Sequence, residues 1–276
     1  MYTQIDNTEA KRANTQDSEP DFFYREDPMP STAITESRFD AVLFDLDGVV
    51  TETAKVHAAC WKKVFDDFLR EYARQADRLF IPFDIISDYN RYVDGKLRQE
   101  GVRSFLESRG IHLHDGGPDD PPGHASIYSL GQRKDDMVME TLGEKGVDIY
   151  KDGLALVHHV RDKGLQTAVV SSSKNCRAVL QAASIEDLFD VRVDGLTVEE
   201  LQLEGKPAPD AFLKAAELLG VSPDRAVVVE DAISGVQAGR RGNFGLVVGV
   251  ARKGDAKALK KNGADIVVLD LTTLMT

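Results

Sequence analysis

The chain reads as an α/β protein, a doubly wound parallel sheet with an all-helical segment inserted after the first strand. Three observations carry that reading. From residue 153 onward, near-continuous apolar runs alternate with helical patterns, as strands buried on both faces of a parallel sheet do. Polar, chemistry-bearing residues stand at the C-terminal ends of three apolar runs, where open α/β sheets place their ligand crevice. Residues 53 to 146 show helical periodicity without a convincing strand, the pattern of an insertion.

The first run, Ala41-Val-Leu-Phe44, leads straight into Asp45-Leu-Asp47-Gly48. In extended backbone Asp45 and Asp47 point to one side while Leu46 points back to the core. Two carboxylates this close repel unless a cation holds them, so a divalent metal is the simplest remedy. A strand ending in an Asx-type turn would need only one of them. Thr51 and Thr53 stand as N-cap candidates for a long helix whose apolar positions include Val56, Cys60, Val64, Phe65 and Leu69. Pro82 and Ser87-Asp-Tyr-Asn90 break that pattern. A second helix is expected over about 96 to 108, with Gly110 beyond its end, and a third over roughly 135 to 142. Residues 115 to 123, rich in Gly and Pro, form a loop on their chemistry alone.

Beyond residue 153, strands are expected at 165–170, about 191–193, 226–229, 246–248 and 266–269, with helices between them, including one near 175–183 and one from Ile233. The second and third polar clusters follow two of these strands: Ser171-Ser-Ser173-Lys174-Asn175 and Glu230-Asp231. Ser171 opens a helix, where its hydroxyl and the N-terminal amides together favour a phosphate, although taken singly it is a plain N-cap. Glu230 and Asp231 at the end of a buried run need a partner. Lys206, in Gly205-Lys-Pro-Ala-Pro-Asp210, sits on a proline-bounded turn that would hold an ammonium in place.

Composition sets the outer limits. At 276 residues the chain exceeds the usual single domain, and 42% hydrophobic content supports a sizeable core. The expected division is an acidic disordered tail over 1–37, a core domain from 38–52 and 147–276, and a helical cap over 53–146. The tail carries eight acidic residues against three basic ones, a net −5. Cys60 and Cys176 have no CxxC spacing, which suits a reducing compartment, so the cytoplasm is the expected location. Neither a signal peptide nor a membrane span is expected. A net charge of −12 argues against nucleic acid as a partner.

Taken together and in order, Asp45-Leu-Asp47-Gly48-Val-Val-Thr51, Ser171, Lys206 and Glu230-Asp231 resemble the four motifs of the haloacid dehalogenase (HAD) superfamily. The resemblance is closer with its β-phosphoglucomutase group and spans about residues 39 to 270. Thr53-Ala-Lys-Val-His57-Ala-Ala-Cys-Trp61 is similar to that group's first cap helix. Gly95-Lys-Leu-Arg98 is similar to its cap arginine loop, and Arg133-Lys134-Asp-Asp136 to its cap lysine segment. Two features depart from the pattern: Glu52 stands where Asp is expected, and the 115–123 loop lengthens the cap.

The resemblance implies a HAD-like core with an inserted helical cap and phosphoryl transfer through an aspartyl phosphate. Asp45 would be the nucleophile and Asp47 the general acid and base. Ser171 and Lys206 would hold the transferring phosphoryl group. Mg²⁺ would be held by Asp45, the Asp47 backbone carbonyl, Glu230 and Asp231. Thr53, His57, Trp61, Gly95 and Lys134 would meet the sugar side, while Arg98, Ser173, Lys174 and Asn175 would grip a second phosphate. The implied reaction is β-glucose 1-phosphate to glucose 6-phosphate by way of glucose 1,6-bisphosphate, in a monomer. The alternatives are a sugar-phosphate phosphatase and a non-catalytic phosphate-binding module.

Overall fold

The computed structural model describes residues 34–121 and 123–275. Six strands form one parallel sheet: β1 (Ala41–Phe44), β2 (Gln166–Val170), β3 (Val191–Val193), β4 (Ala226–Glu230), β5 (Leu246–Val250) and β6 (Ile266–Val268). Their spatial order is β3-β2-β1-β4-β5-β6. β1 lies between β2 and β4, with Phe44 level with both Val169 and Val229. The chain winds outward on one side of β1 and then crosses to the other, so the switch point falls at the C-terminal ends of β1, β2 and β4.

The pleat of β1 explains its unbroken apolar sequence. Val42 and Phe44 join one core, with residues of the helices Lys151–Asp162 (α4) and Cys176–Ala182 (α5), while Ala41 and Leu43 face the other, with Asp210–Leu219 (α7) and Ile233–Arg241 (α8). All four residues are fully buried, as strands covered on both faces must be.

The cap has an apolar centre of its own, although Cys60, Val138 and Leu142 join the core's cluster. Its helices are α1 (Ala54–Gln75), α2 (Arg98–Ser108) and α3 (Ile127–Lys145), with a π-helical turn at Tyr89–Val93. Trp61, Phe65, Phe83 and Phe105 form its centre; the rings of Phe65 and Phe105 stand 4.4 Å apart and those of Phe83 and Phe105 4.8 Å. No strand lies between residues 53 and 146 among the described residues. The two crossings between cap and sheet run side by side: the Glu52 amide donates to the Asp148 carbonyl at 2.9 Å, and the Tyr150 amide to the Val50 carbonyl at 2.9 Å. No described helix is long and apolar enough to cross a membrane.

Several expectations about the chain are corrected. The third cap helix begins at Ile127, well before residue 135, because Ser126 and Ser129 cap it reciprocally, each hydroxyl accepting the other's backbone N–H at 3.0 and 2.9 Å. α2 begins at Arg98, two residues later than the expected start. The break at residues 87–90 contains the start of the π-helical turn. A short helix, Gly195–Glu200 (α6), was not expected; Asp194 caps it by accepting the Leu196 and Thr197 amides. The remaining helix, Ala256–Asn262 (α9), packs beside β5 and β6.

The tail expectation needs a shorter boundary. Ile34 is 1% exposed and donates its amide to the Leu274 carbonyl at 3.3 Å, so the packed chain has begun by that residue. The disorder expected for residues 1–33 lies outside the described residues.

Phe105→Ala removes a fully buried ring from the centre of the cap. It should lower unfolding stability by about 3–5 kcal/mol, read from urea denaturation, because such a cavity only partly collapses. A loss below about 1 kcal/mol would show that the cap is loosely packed.

Candidate active site

At the C-terminal edge of β1, Asp45 is 6% exposed while Leu46 is buried in the core below. Gly48 follows with φ +105°, a conformation that favours glycine, and a Cβ there would collide with the Asp231 carboxylate. The turn thereby brings the β1 and β4 ends together. Asp45, Glu230 and Asp231 are all buried and offer oxygens lying within 4.8 Å of one another.

Lys206 enters this cluster from the proline-bounded turn. Its Nζ donates to Asp45 Oδ1 at 2.5 Å, Glu230 Oε1 at 2.8 Å and the Val170 carbonyl at 3.2 Å. Burial opposes its charge, but Asp45 and Glu230 outweigh burial and hold its pKa above the usual lysine range. Glu230 Oε2 accepts the Ala232 amide at 2.7 Å, so both of its oxygens are engaged. Asp231 Oδ2 is buried and accepts no hydrogen bond, although Lys253 Nζ stands 3.1 Å away.

Without a cation, Asp45 and Asp231 resist ionisation. Burial, only partly offset by Lys206, pushes Asp45 well above the carboxylate range, and Glu230, Asp47 and Asp231 add to the rise. Burial likewise lifts Asp231 to about 7, against the pull of Lys253. An all-oxygen set with a buried carboxylate oxygen that accepts no hydrogen bond fits a hard divalent cation.

Asp47 takes a different path from the other three expected ligands. Its carboxylate faces the cap: Thr53 Oγ1 donates to Oδ1, His57 Nε2 lies 3.6 Å from the same oxygen, and Ser171 Oγ donates to Oδ2 at 3.4 Å. This contact explains why Thr53, at the N-cap position of α1, makes no side-chain cap. His57 Nδ1 is 2.8 Å from Lys134 Nζ, which also lies 5.3 Å from the centre of the Trp61 ring.

Burial first, and then Lys134, lower the His57 pKa to about 4, with Asp47 and Asp135 opposing. Burial also lowers Lys134 to about 8, against Asp47 and Asp135. His57 is therefore neutral at pH 7, and the pair can share a proton.

The cleft between cap and sheet edge holds the remaining residues. It is lined by Asp45, Asp47, His57, Trp61, Gly95, Arg98, Lys134, Ser173, Lys174 and Asp231, among others. Arg98 is a cap cation with 12% of its side chain exposed; Asp135 Oδ2 lies 2.5 Å from Nη1, yet neither Nη1 nor the buried Nε makes a hydrogen bond. Asn175 Nδ2 donates to the other oxygen of Asp135 at 2.8 Å. Lys174 leans outward to Glu199 at 2.6 Å, and Ser173 Oγ accepts the Asn175 amide at 3.2 Å. Thus Arg98 and Asn175 meet around one carboxylate, while Lys174 is turned away.

The cavity left in the cleft is about 60 Å³, far below the roughly 300–1,000 Å³ of ordinary ligand pockets. With the cap in this position the cleft has too little room for a sugar phosphate. The same geometry shows what the sequence reading missed. Asp94, Asp135 and Lys253 belong to the site; Asp94 adjoins one quoted cap motif and Asp135 lies inside another without a role assigned, and Lys253 follows the C-terminal end of β5, a strand end at which no polar cluster was sought.

A family model of haloacid dehalogenase-like hydrolases matches residues 39–243. The β-phosphoglucomutase of Mycobacterium bovis is 50% identical over 238 residues, covering 85% of this chain and 91% of the relative. That of Bacillus subtilis is 31% identical over 236 residues, covering 85% of this chain and 91% of the relative. A crystal structure of β-phosphoglucomutase from Clostridium difficile superposes with a TM-score of 0.66 at 27% identity, covering 86% of this chain and 93% of that one. The chain belongs to the haloacid dehalogenase-like hydrolase family, in its β-phosphoglucomutase-like group.

A lowered His57 pKa has a signed consequence for stability. Between the unfolded value near 6.5 and the folded value of about 4, the unfolded chain binds the extra proton, so stability falls as pH drops through that window. His57→Gln should lose less stability than the parent between pH 7 and pH 4.5 in urea melts. In the parent, Lys134→Met should raise the His57 pKa seen by NMR; an unchanged value would remove Lys134 as a cause.

Proposed function

We propose that the protein is a β-phosphoglucomutase, converting β-glucose 1-phosphate to glucose 6-phosphate through glucose 1,6-bisphosphate. One observation carries the reading: one cleft has Asp45, with the Lys206 ammonium bound to it from behind, on its core wall and the Arg98 guanidinium on its cap wall. A phosphatase needs only the core wall, whereas a mutase must hold a bisphosphate by both ends while it turns. The 50% identity to the M. bovis enzyme supports the same choice.

Asp45 acts as the nucleophile, its carboxylate accepting the phosphoryl group and splitting one displacement into two. Asp45, Glu230 and Asp231, with the Asp47 backbone carbonyl, are the groups that would hold Mg²⁺. When bound, the cation offsets charge on the transferring phosphoryl oxygens. Lys206 neutralises and orients the same oxygens, with the Ser171 hydroxyl beside them. Asp47 takes the proton from the sugar hydroxyl that attacks the aspartyl phosphate. When the turned bisphosphate returns its other phosphate to Asp45, Asp47 gives a proton to the departing sugar oxygen.

The closed cap prepares these steps. Thr53 and His57 come from the cap, so with the cap down they hold the Asp47 oxygen that Ser171 does not reach. His57, Trp61, Lys134 and Gly95 then face the sugar. Asp135 occupies the place an anion would take between Arg98 and Asn175. The distal phosphate displaces that carboxylate, and Ser173 and Lys174 complete the grip. Residues 53–146 thus serve as the specificity cap, and 34–52 with 147–275 as the catalytic core.

Asp45→Asn should abolish transfer and hydrolysis with the fold intact by circular dichroism, and near-parental turnover would refute the nucleophile. Arg98→Ala tests the mutase directly. Losing a charge-assisted contact should weaken the bisphosphate about ten- to a hundredfold, while hydrolysis of acetyl phosphate, whose one phosphate stays at Asp45, should be nearly unchanged. Parallel loss of both activities would favour the phosphatase.

A further inference from the structure

Lys253, just beyond β5, occupies a position that the chemistry above does not use. Its Nζ donates to Asp94 Oδ2 at 2.6 Å and stands 3.1 Å from Asp231 Oδ2. Asp94 belongs to the cap's linking segment and Asp231 to the acidic cluster, so one ammonium spans the two. Both carboxylates are nearly fully buried, while Lys253 keeps 25% of its side chain exposed.

The Asp94-Gly95 segment touches the core directly. Ser234 Oγ donates to the Asp94 carbonyl at 2.8 Å and Ser172 Oγ to the Gly95 carbonyl at 2.6 Å. A Cβ on Gly95 would meet the Ser234 hydroxyl and come within 2.9 Å of Ala232 Cβ. When the cap lifts, Asp94 must leave Lys253, and the ammonium is left with Asp231 alone.

We propose that Lys253 is a positioning residue that couples cap closure to cation binding. In the open state it competes with the cation for Asp231. In the closed state Asp94 shares its charge and draws it off that carboxylate. Closure thereby strengthens cation binding, and by reciprocity the cation strengthens closure, since it frees Lys253 to pair wholly with Asp94. This rests on the reading of Asp45, Glu230 and Asp231 as a cation site.

The test is Mg²⁺ binding by calorimetry, without substrate, on the full chain, Lys253→Met, Asp94→Asn, the double variant and Lys253→Arg. Lys253→Met should tighten Mg²⁺ binding and Asp94→Asn weaken it, each by about three- to tenfold. The decisive result is non-additivity: once Lys253 is methionine, Asp94→Asn should lose most of its effect. Lys253→Arg should keep the coupling. Small-angle scattering should show Mg²⁺ shifting the parent toward the compact form but not Lys253→Met. Additive effects, weakening by both single variants, or an Mg²⁺-independent cap in the parent would overturn the latch. Absence of any Mg²⁺ binding by the parent would instead overturn the cation site itself.

Discussion

The buried ion pair of Lys206 with Asp45 and Glu230 is the constraint on which the rest of the site depends. Carboxylates gathered at the end of a buried sheet cannot remain charged without compensation, and an ammonium that is 1% exposed supplies the first part of it. The compensation is incomplete. Asp45 and Asp231 both have raised pKa values despite the lysines beside them, so protons fill the deficit in the absence of a cation. The three ligand residues sit on two adjacent strands, and those strands hold their spacing because apolar residues pack on both faces. Core packing therefore sets the separation of the charged oxygens.

The cap obeys a different rule. Its own interior is aromatic and tightly packed, and it meets the core both through polar contacts across the cleft and through Cys60, Val138 and Leu142, which join the core's apolar cluster. Thr53 and His57 reach Asp47, Asp135 meets Asn175, and Asp94 meets Lys253. Each polar contact exchanges a solvated group for a partner on the other side, so each adds little net free energy on its own. Closure removes nearly all the space in the cleft, which suits a site that must exclude water from an acyl-phosphate-like bond. A bisphosphate that turns around must be released from these walls and caught again.

Much of this was legible in the sequence because burial and chemistry coincide there. Ala41-Val-Leu-Phe44 followed by Asp45 announces a two-sided strand ending at a crevice, and the same logic located Ser171 and Glu230. Helix ends were less legible. Ser126 and Ser129 cap each other without the acidic residue that marks the usual box, so α3 looked short. Ile34 was assigned to the tail because its neighbours are polar, and only its tertiary contact with the C-terminal segment reveals its place. Lys253 was not singled out in the sequence at all. Its role depends on two acids far away in sequence, which periodicity cannot bring together. Lys174 points to Glu199 in the closed form, so its motif alone did not reveal its orientation.

The central claim is that this cleft moves a phosphoryl group between two positions of one sugar. Phosphorus NMR of β-glucose 1-phosphate with Mg²⁺ and a trace of glucose 1,6-bisphosphate follows both fates of the phosphate in a single time course. The account predicts that the substrate resonance is replaced by glucose 6-phosphate, with inorganic phosphate appearing far more slowly. Release of inorganic phosphate as the main product, at the rate at which substrate disappears, would contradict it.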